Sequence, residues 1–204
     1  MACNIKVIRN QEHKVSEWSG GTTTQLYIYP EESIYSELDF KWRLSSARVD
    51  VEESTFTHLP GIDRKIMIID GKLTLEHEEK YIAELNEFDI DSFSGDWTTR
   101  SYGKVTDFNL MMNKKCTGDL EYILVKSDSS KEIKLINKQQ IYNHIADVLY
   151  CVSGEITVEL DSAIDIYKGD LFVFTRDINY DVKKLSIFNK SKDCAKIIRS
   201  IIYY

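Results

Sequence analysis

Val148-Leu149-Tyr150-Cys151-Val152-Ser153-Gly154-Glu155-Ile156-Thr157-Val158 is an apolar run, a glycine turn and an alternating run. Lys65-Ile66-Met67-Ile68-Ile69-Asp70-Gly71-Lys72-Leu73-Thr74-Leu75 repeats that pattern, offset by 83 residues from Gly71 to Gly154. Short runs rich in β-branched and aromatic side chains, bounded by turn residues, read as strands. Asp70-Gly71 and Ser153-Gly154 suit hairpin turns, because glycine accepts φ > 0. Fifteen residues beyond each glycine stands another turn, at Asn86-Glu87 and Gly169-Asp170, leading into a further apolar stretch. Two copies of one strand–turn–strand unit predict two small β modules, with boundaries at residues 1–118 and 119–204.

The same strand signature recurs in Gln25–Tyr29, Asp107–Met112, Tyr122–Val125 and Leu171–Phe174. Sustained helical periodicity is absent, apart from a short helix expected near Lys138–Asn143. Many short strands broken by turns argue for an all-β sandwich or barrel. Acidic residues outnumber basic ones 33 to 26, and no basic stripe exceeds a pair such as Lys114-Lys115. Nucleic acid and an anionic membrane surface, both of which demand clustered positive charge, are therefore not expected as partners. No window reaches the ~18 apolar residues of a membrane span, and Met1–Lys6 carries no apolar signal-peptide run. Cys3, Cys116, Cys151 and Cys194 lie far apart without a CxxC pair, as reduced thiols of a cytoplasmic protein would.

The second copy closes on Tyr167-Lys168-Gly169-Asp170-Leu171-Phe172-Val173-Phe174 and resembles a cupin. That family is a double-stranded β-helix, or jelly roll, and two such modules packed together make a bicupin. Metal-binding cupins carry two histidines separated by one residue, an acid four or five positions on, and a glycine seven positions later, so that strand side chains converge on one ion. Counting back from Gly71 puts Arg64 at the acid position, with only His58 in the histidine window. Counting back from Gly154 puts Asp147 at the acid position, with His144 out of register. Neither module supplies a ligand triad. A guanidinium stays charged at physiological pH and repels a divalent cation, whereas it attracts a carboxylate or phosphate. No metal and no cofactor is expected.

Five motifs between Trp18 and Met111 sharpen the resemblance: Trp18-Ser19-Gly20-Gly21-Thr22-Thr23-Thr24, Trp42-Arg43-Leu44-Ser45-Ser46-Ala47, Phe56-Thr57-His58-Leu59-Pro60-Gly61-Ile62-Asp63-Arg64, Phe93-Ser94-Gly95-Asp96 and Asp107-Phe108-Asn109-Leu110-Met111. In this order they are similar to the HutD/Ves family of cupin proteins. The Gly-rich stretch is one residue shorter than the family's common form and lacks its Asn. The resemblance covers roughly the first 115 residues, and the rest carries only the general cupin pattern. It implies a bicupin without an established catalytic activity, linked in some relatives to histidine degradation and in others to stress. A homodimer is expected by the same resemblance.

Arg64 and Arg43 are the candidate anchors for an acidic ligand, since a bidentate arginine–carboxylate pair in a partly dry cavity is stronger and more directional than a neutral hydrogen bond. Either could equally sit in a structural ion pair. Ser45 shares a strand face with Arg43, and Asp107 shares one with Asn109; the latter two could hold an arginine or contact a ligand amide. Thr22, Thr23 and Thr24 could present donors to an oxyanion or simply lead into the next strand. Trp42 fits a ligand platform or the core. His58 and Asp107 are the available general bases, but no nucleophile with a supporting context is legible. The reading is a non-catalytic or regulatory cupin that binds a small acidic metabolite. The alternatives are a metal-independent isomerase or hydrolase, and a structural module without ligand.

Overall fold

A computed structural model describes residues 3–135, 141–180 and 184–204. The chain divides into two β units, His13–Thr117 and Met1–Glu12 with Gly118–Tyr204. Residues 138–140 of the expected helix lie outside the described residues.

The N-terminal unit has a six-stranded antiparallel sheet, in spatial order Lys14–Trp18, Gly21–Tyr29, Trp42–Val49, Val105–Asn113, Ile62–Gly71 and Ile90–Ser94. A four-stranded sheet runs Glu53–Thr55, Thr99–Tyr102, Leu73–His77 and Tyr81–Leu85. The C-terminal unit repeats this plan. Thr117–Val125, Ala195–Tyr203, His144–Ser153 and Leu171–Asp177 form one sheet, and Ser129–Lys134, Lys184–Asn189, Glu155–Glu159 and Ala163–Tyr167 the other. These are two double-stranded β-helices, a bicupin. All six quoted strand signatures fall inside strands.

Two expectations change. Gly71 and Gly154 adopt φ of 90° and 79°, yet neither makes a hairpin, because the strands on either side belong to different sheets. Positive φ here folds the chain around the edge of the sandwich. An added Cβ at Gly71 would sit 2.6 Å from the Lys104 carbonyl oxygen, so the corner requires glycine. The second change concerns the module of residues 1–118, which lacks its first strand. Cys3–Ile8 pairs antiparallel with Leu171–Asp177, from Cys3 opposite Arg176 to Ile8 opposite Leu171. Arg9 Nη1 and the Asn10 amide then donate to the Asp170 carboxylate at 2.6 and 2.9 Å, tying this strand to the Gly169-Asp170 turn.

Period-two alternation places Ile66, Ile68, Leu73, Leu75 and Phe93 in one buried cluster. Ile123, Leu149, Ile156, Phe172 and Ile197 do the same in the second unit. Each such side chain contributes about 1.5–3 kcal/mol by leaving water. No helix among the described residues is long and apolar enough to cross a membrane.

Candidate functional site

Strand register sets the site. Met111 stands between Arg43 on one neighbouring strand and Arg64 on the other. Asn109 stands between Ser45 and Ile66, and Asp107 between Ala47 and Ile68. The pairing slips between Thr106 and Asp107 and again between Gln25 and Tyr27. Such bulges re-aim side chains at functional positions, and Asp107 and Gln25 both belong to the polar arrangement that results.

Arg43, Ser45, Arg64, Asp107, Asn109 and Met111 border a cavity of about 300 Å³ inside the N-terminal barrel. Arg43 donates through Nε to Gln25 Oε1 at 2.9 Å and through Nη1 to Ser45 Oγ at 3.0 Å. Its guanidinium stacks 4.2 Å from the Tyr35 ring centroid. Arg64 donates from Nη2 to Asn109 Oδ1 at 3.0 Å and lies 4.6 and 5.1 Å from the Phe56 and Phe93 rings. Asn109 Nδ2 donates to Asp107 Oδ1 at 2.6 Å. The Arg64 Nε is buried with no partner among the described residues. Neither Nη1 of Arg64 nor Nη2 of Arg43 makes a hydrogen bond among them. Each arginine thus keeps a terminal guanidinium nitrogen unspent among the described residues, while Arg64 Nε is sealed from the cavity space.

Burial is the main influence on each charge. It brings Arg64 down to about 10, with Arg43 pushing the same way. It lowers Arg43, and it raises Asp107 to about 6 against the pull of Arg64. Both arginines remain cationic at neutral pH, so a single carboxylate faces two guanidiniums.

Of the expected residues, Arg43, Ser45, Arg64, Asp107, Asn109 and Thr23 border the cavity. Thr22 and Thr24 do not, because alternation turns them to the other face of their strand. Trp42 is also excluded. It neighbours Arg43 in sequence and so points the opposite way, buried and stacked on Tyr27 and Tyr29 at 5.1 and 5.6 Å. His58 is exposed in the loop after Glu53–Thr55 and is no part of the cavity. Gln25, Tyr35 and Phe56 were not anticipated. Gln25 shares a face with Thr23 and Phe56 sits within a quoted motif, so both had a signal; Tyr35, from a short 3-10 turn, had none.

Metal ligation does not fit this donor set. No three His, Cys, Asp or Glu side chains converge among the described residues, and the cupin acid position holds a guanidinium. In the C-terminal unit register equates Asp147 with Arg64 and Arg199 with Asn109. There Arg176 Nη2 and Arg199 Nε hold the Asp147 carboxylate at 3.0 and 3.1 Å. Arg199 Nη1 reaches Glu121 at 3.1 Å. Arg199 and Glu121, paired with each other, also border a cavity of about 330 Å³, together with Asp119, Lys131, Glu132 and Lys134.

Thr99, His77 and Asp91 are hydrogen-bonded in series at 2.8 and 2.8 Å. The order imitates a nucleophile–base–acid relay, but Thr99 is 0% exposed. Substrate has no access to it, and the series ties strands together.

The paired jelly rolls define a cupin-type protein of the two-module class. A crystal structure of a conserved protein of unknown function from Pseudomonas aeruginosa PAO1 superposes with a TM-score of 0.78 at 18% identity, covering 98% of this chain and 100% of that one. HutD from Pseudomonas fluorescens SBW25, solved in a formate condition, gives 0.71 at 20% identity over 98% of each chain. An oxalate decarboxylase–formate complex from Lactobacillus farciminis gives 0.70 at 8% identity, covering 96% of this chain and 85% of that one. Among curated proteins none matches. The HutD family model matches residues 10–188, and the chain belongs to the HutD family.

Proposed function

We propose that this chain is a non-catalytic, cytoplasmic cupin that senses or buffers a small carboxylate metabolite, held without a metal in the N-terminal barrel. One observation carries the reading: two buried guanidiniums with unspent N–H groups share a cavity whose single carboxylate touches neither. A buried cation without a full partner is costly, and an incoming carboxylate would supply bidentate, charge-assisted bonds. The C-terminal unit supports the argument by contrast, since there an internal carboxylate, Asp147, already fills that role between two arginines. Among the described residues no hydroxyl bordering the cavity hydrogen-bonds to an imidazole or a carboxylate, so no activated nucleophile faces a ligand. Family membership directs the choice of acids toward intermediates of amino-acid breakdown, histidine's included.

Thermal unfolding against a panel of such acids tests the reading. A ligand at one hundred times its Kd is expected to add about 2.7 kcal/mol, and the gain should vanish in an Arg43→Met, Arg64→Met double variant. An unmoved transition across the panel, or a transition metal bound in this cavity, would sink it.

A further inference from the structure

Lys14–Trp18 forms one outer edge of the six-stranded sheet and is bonded to Gly21–Tyr29 on one side only. All five of its residues are exposed, as in no other strand among the described residues. No hydrogen bond beyond that pairing reaches its backbone among them. The opposite edge of the sheet is blunted. There the Tyr81 hydroxyl donates to the Ser92 carbonyl and the Trp97 amide to the Ser94 carbonyl, both at 3.1 Å. A row of unpaired N–H and C=O groups is a template for another strand. This one also carries Val15 at 64% and Trp18 at 39% exposure.

We infer that two copies of the chain pair through Lys14–Trp18, antiparallel about a two-fold axis, so that their six-stranded sheets join edge to edge. Such an axis stands perpendicular to the sheet and keeps every side chain on its own face, so one residue must meet its own copy. Charge decides which. Centring on Lys14 or Glu17 sets like charges directly opposite, which destabilises a strand pair. Centring on Val15 or Trp18 leaves part of the strand outside the pairing. Centring on Ser16 pairs all five residues. Lys14 then meets Trp18 of the second copy, an ammonium against an indole, and Val15 meets the stem of Glu17. Ser16 and Trp18 border the arginine cavity, so Lys14 of the second copy lands on its rim and each copy completes the other's site. Five residues bury less than the ~1,200 Å² of a stable interface, so the association is weak and rises with concentration.

Sedimentation velocity of the full chain should show a monomer at ~1 μM passing to a dimer by ~300 μM, the range open to an interface of this size. Val15→Glu, at an exposed position outside the cavity, sets two acids opposite each other on both sides of the axis and should weaken the dimer about tenfold or more. Adding Glu17→Lys makes both contacts opposite in charge and should restore the affinity to within about threefold. Ser16→Cys reads the pairing without added charge. Mild oxidation should cross-link two such copies, whose facing Cα atoms lie ~5 Å apart. Val15→Cys, offset diagonally by ~7–8 Å, should cross-link no more than the unmodified chain does. A monomer throughout that range, a dimer indifferent to Val15→Glu, no recovery with Glu17→Lys, or no Ser16→Cys cross-link would overturn the inference.

Discussion

Asp107 shares its cavity with Arg43 and Arg64, yet burial pushes its carboxyl up to about 6 against the pull of Arg64 and the Asn109 hydrogen bond. It therefore takes up a proton between pH 7.5 and 5.5. The cavity then loses its one negative charge and keeps two positive ones, with Asn109, Ser45 and Tyr35 neutral around them. Levulinate, whose carboxylate stays ionised over most of that range, should bind roughly tenfold tighter at pH 5.5 than at pH 7.5, since a unit charge several ångströms away is worth about 2 kcal/mol at an effective dielectric near 20. In Asp107→Asn the same titration should be flat. A flat profile in the unmodified protein would show that Asp107 does not control the anion.

At the scale of strands, what was legible followed from local rules. Period two places Arg43 and Ser45 on one face, and Asp107, Asn109 and Met111 on another, so most of the cavity floor could be read once the strands were assigned. Trp42 failed by the same rule, being one residue from Arg43. His58 failed for another reason. Counting back from Gly71 treats the chain as straight, but a turn at Pro60-Gly61 leaves the histidine in a loop. Gly71 carried a turn signal that local chemistry cannot refine, because a hairpin and a corner between sheets both need φ > 0. The corner imposes a sharper demand, since the Lys104 carbonyl occupies the space a methyl would take. Gly71→Ala should cost about 1–3 kcal/mol, read as a lower urea midpoint. An unchanged midpoint would mean the corner relaxes freely.

Across the whole molecule, one fold handles the same interior position in two ways. Asp147 is satisfied within the chain by direct ion pairs, whereas its counterpart Arg64 meets a neutral amide and a like charge. Removing one partner of a buried ion pair costs about 3–5 kcal/mol, whereas replacing a poorly compensated buried charge by an apolar side chain is often neutral or stabilising. Asp147→Ala should therefore lower the unfolding free energy by that amount, while Arg64→Met should leave it unchanged or raise it. Equal losses from the two, measured by denaturant unfolding, would mean that Arg64 is held as firmly as Asp147. The strand Cys3–Ile8 carries a different kind of consequence. It leaves the ribosome ahead of its partner Leu171–Asp177, which comes some 160 residues later, an interval of roughly ten to thirty seconds at ordinary translation speeds. Through that interval the N-terminal barrel can close behind an edge that is still waiting for its mate, so the nascent chain passes through a stage in which its first strand is open to any passing partner.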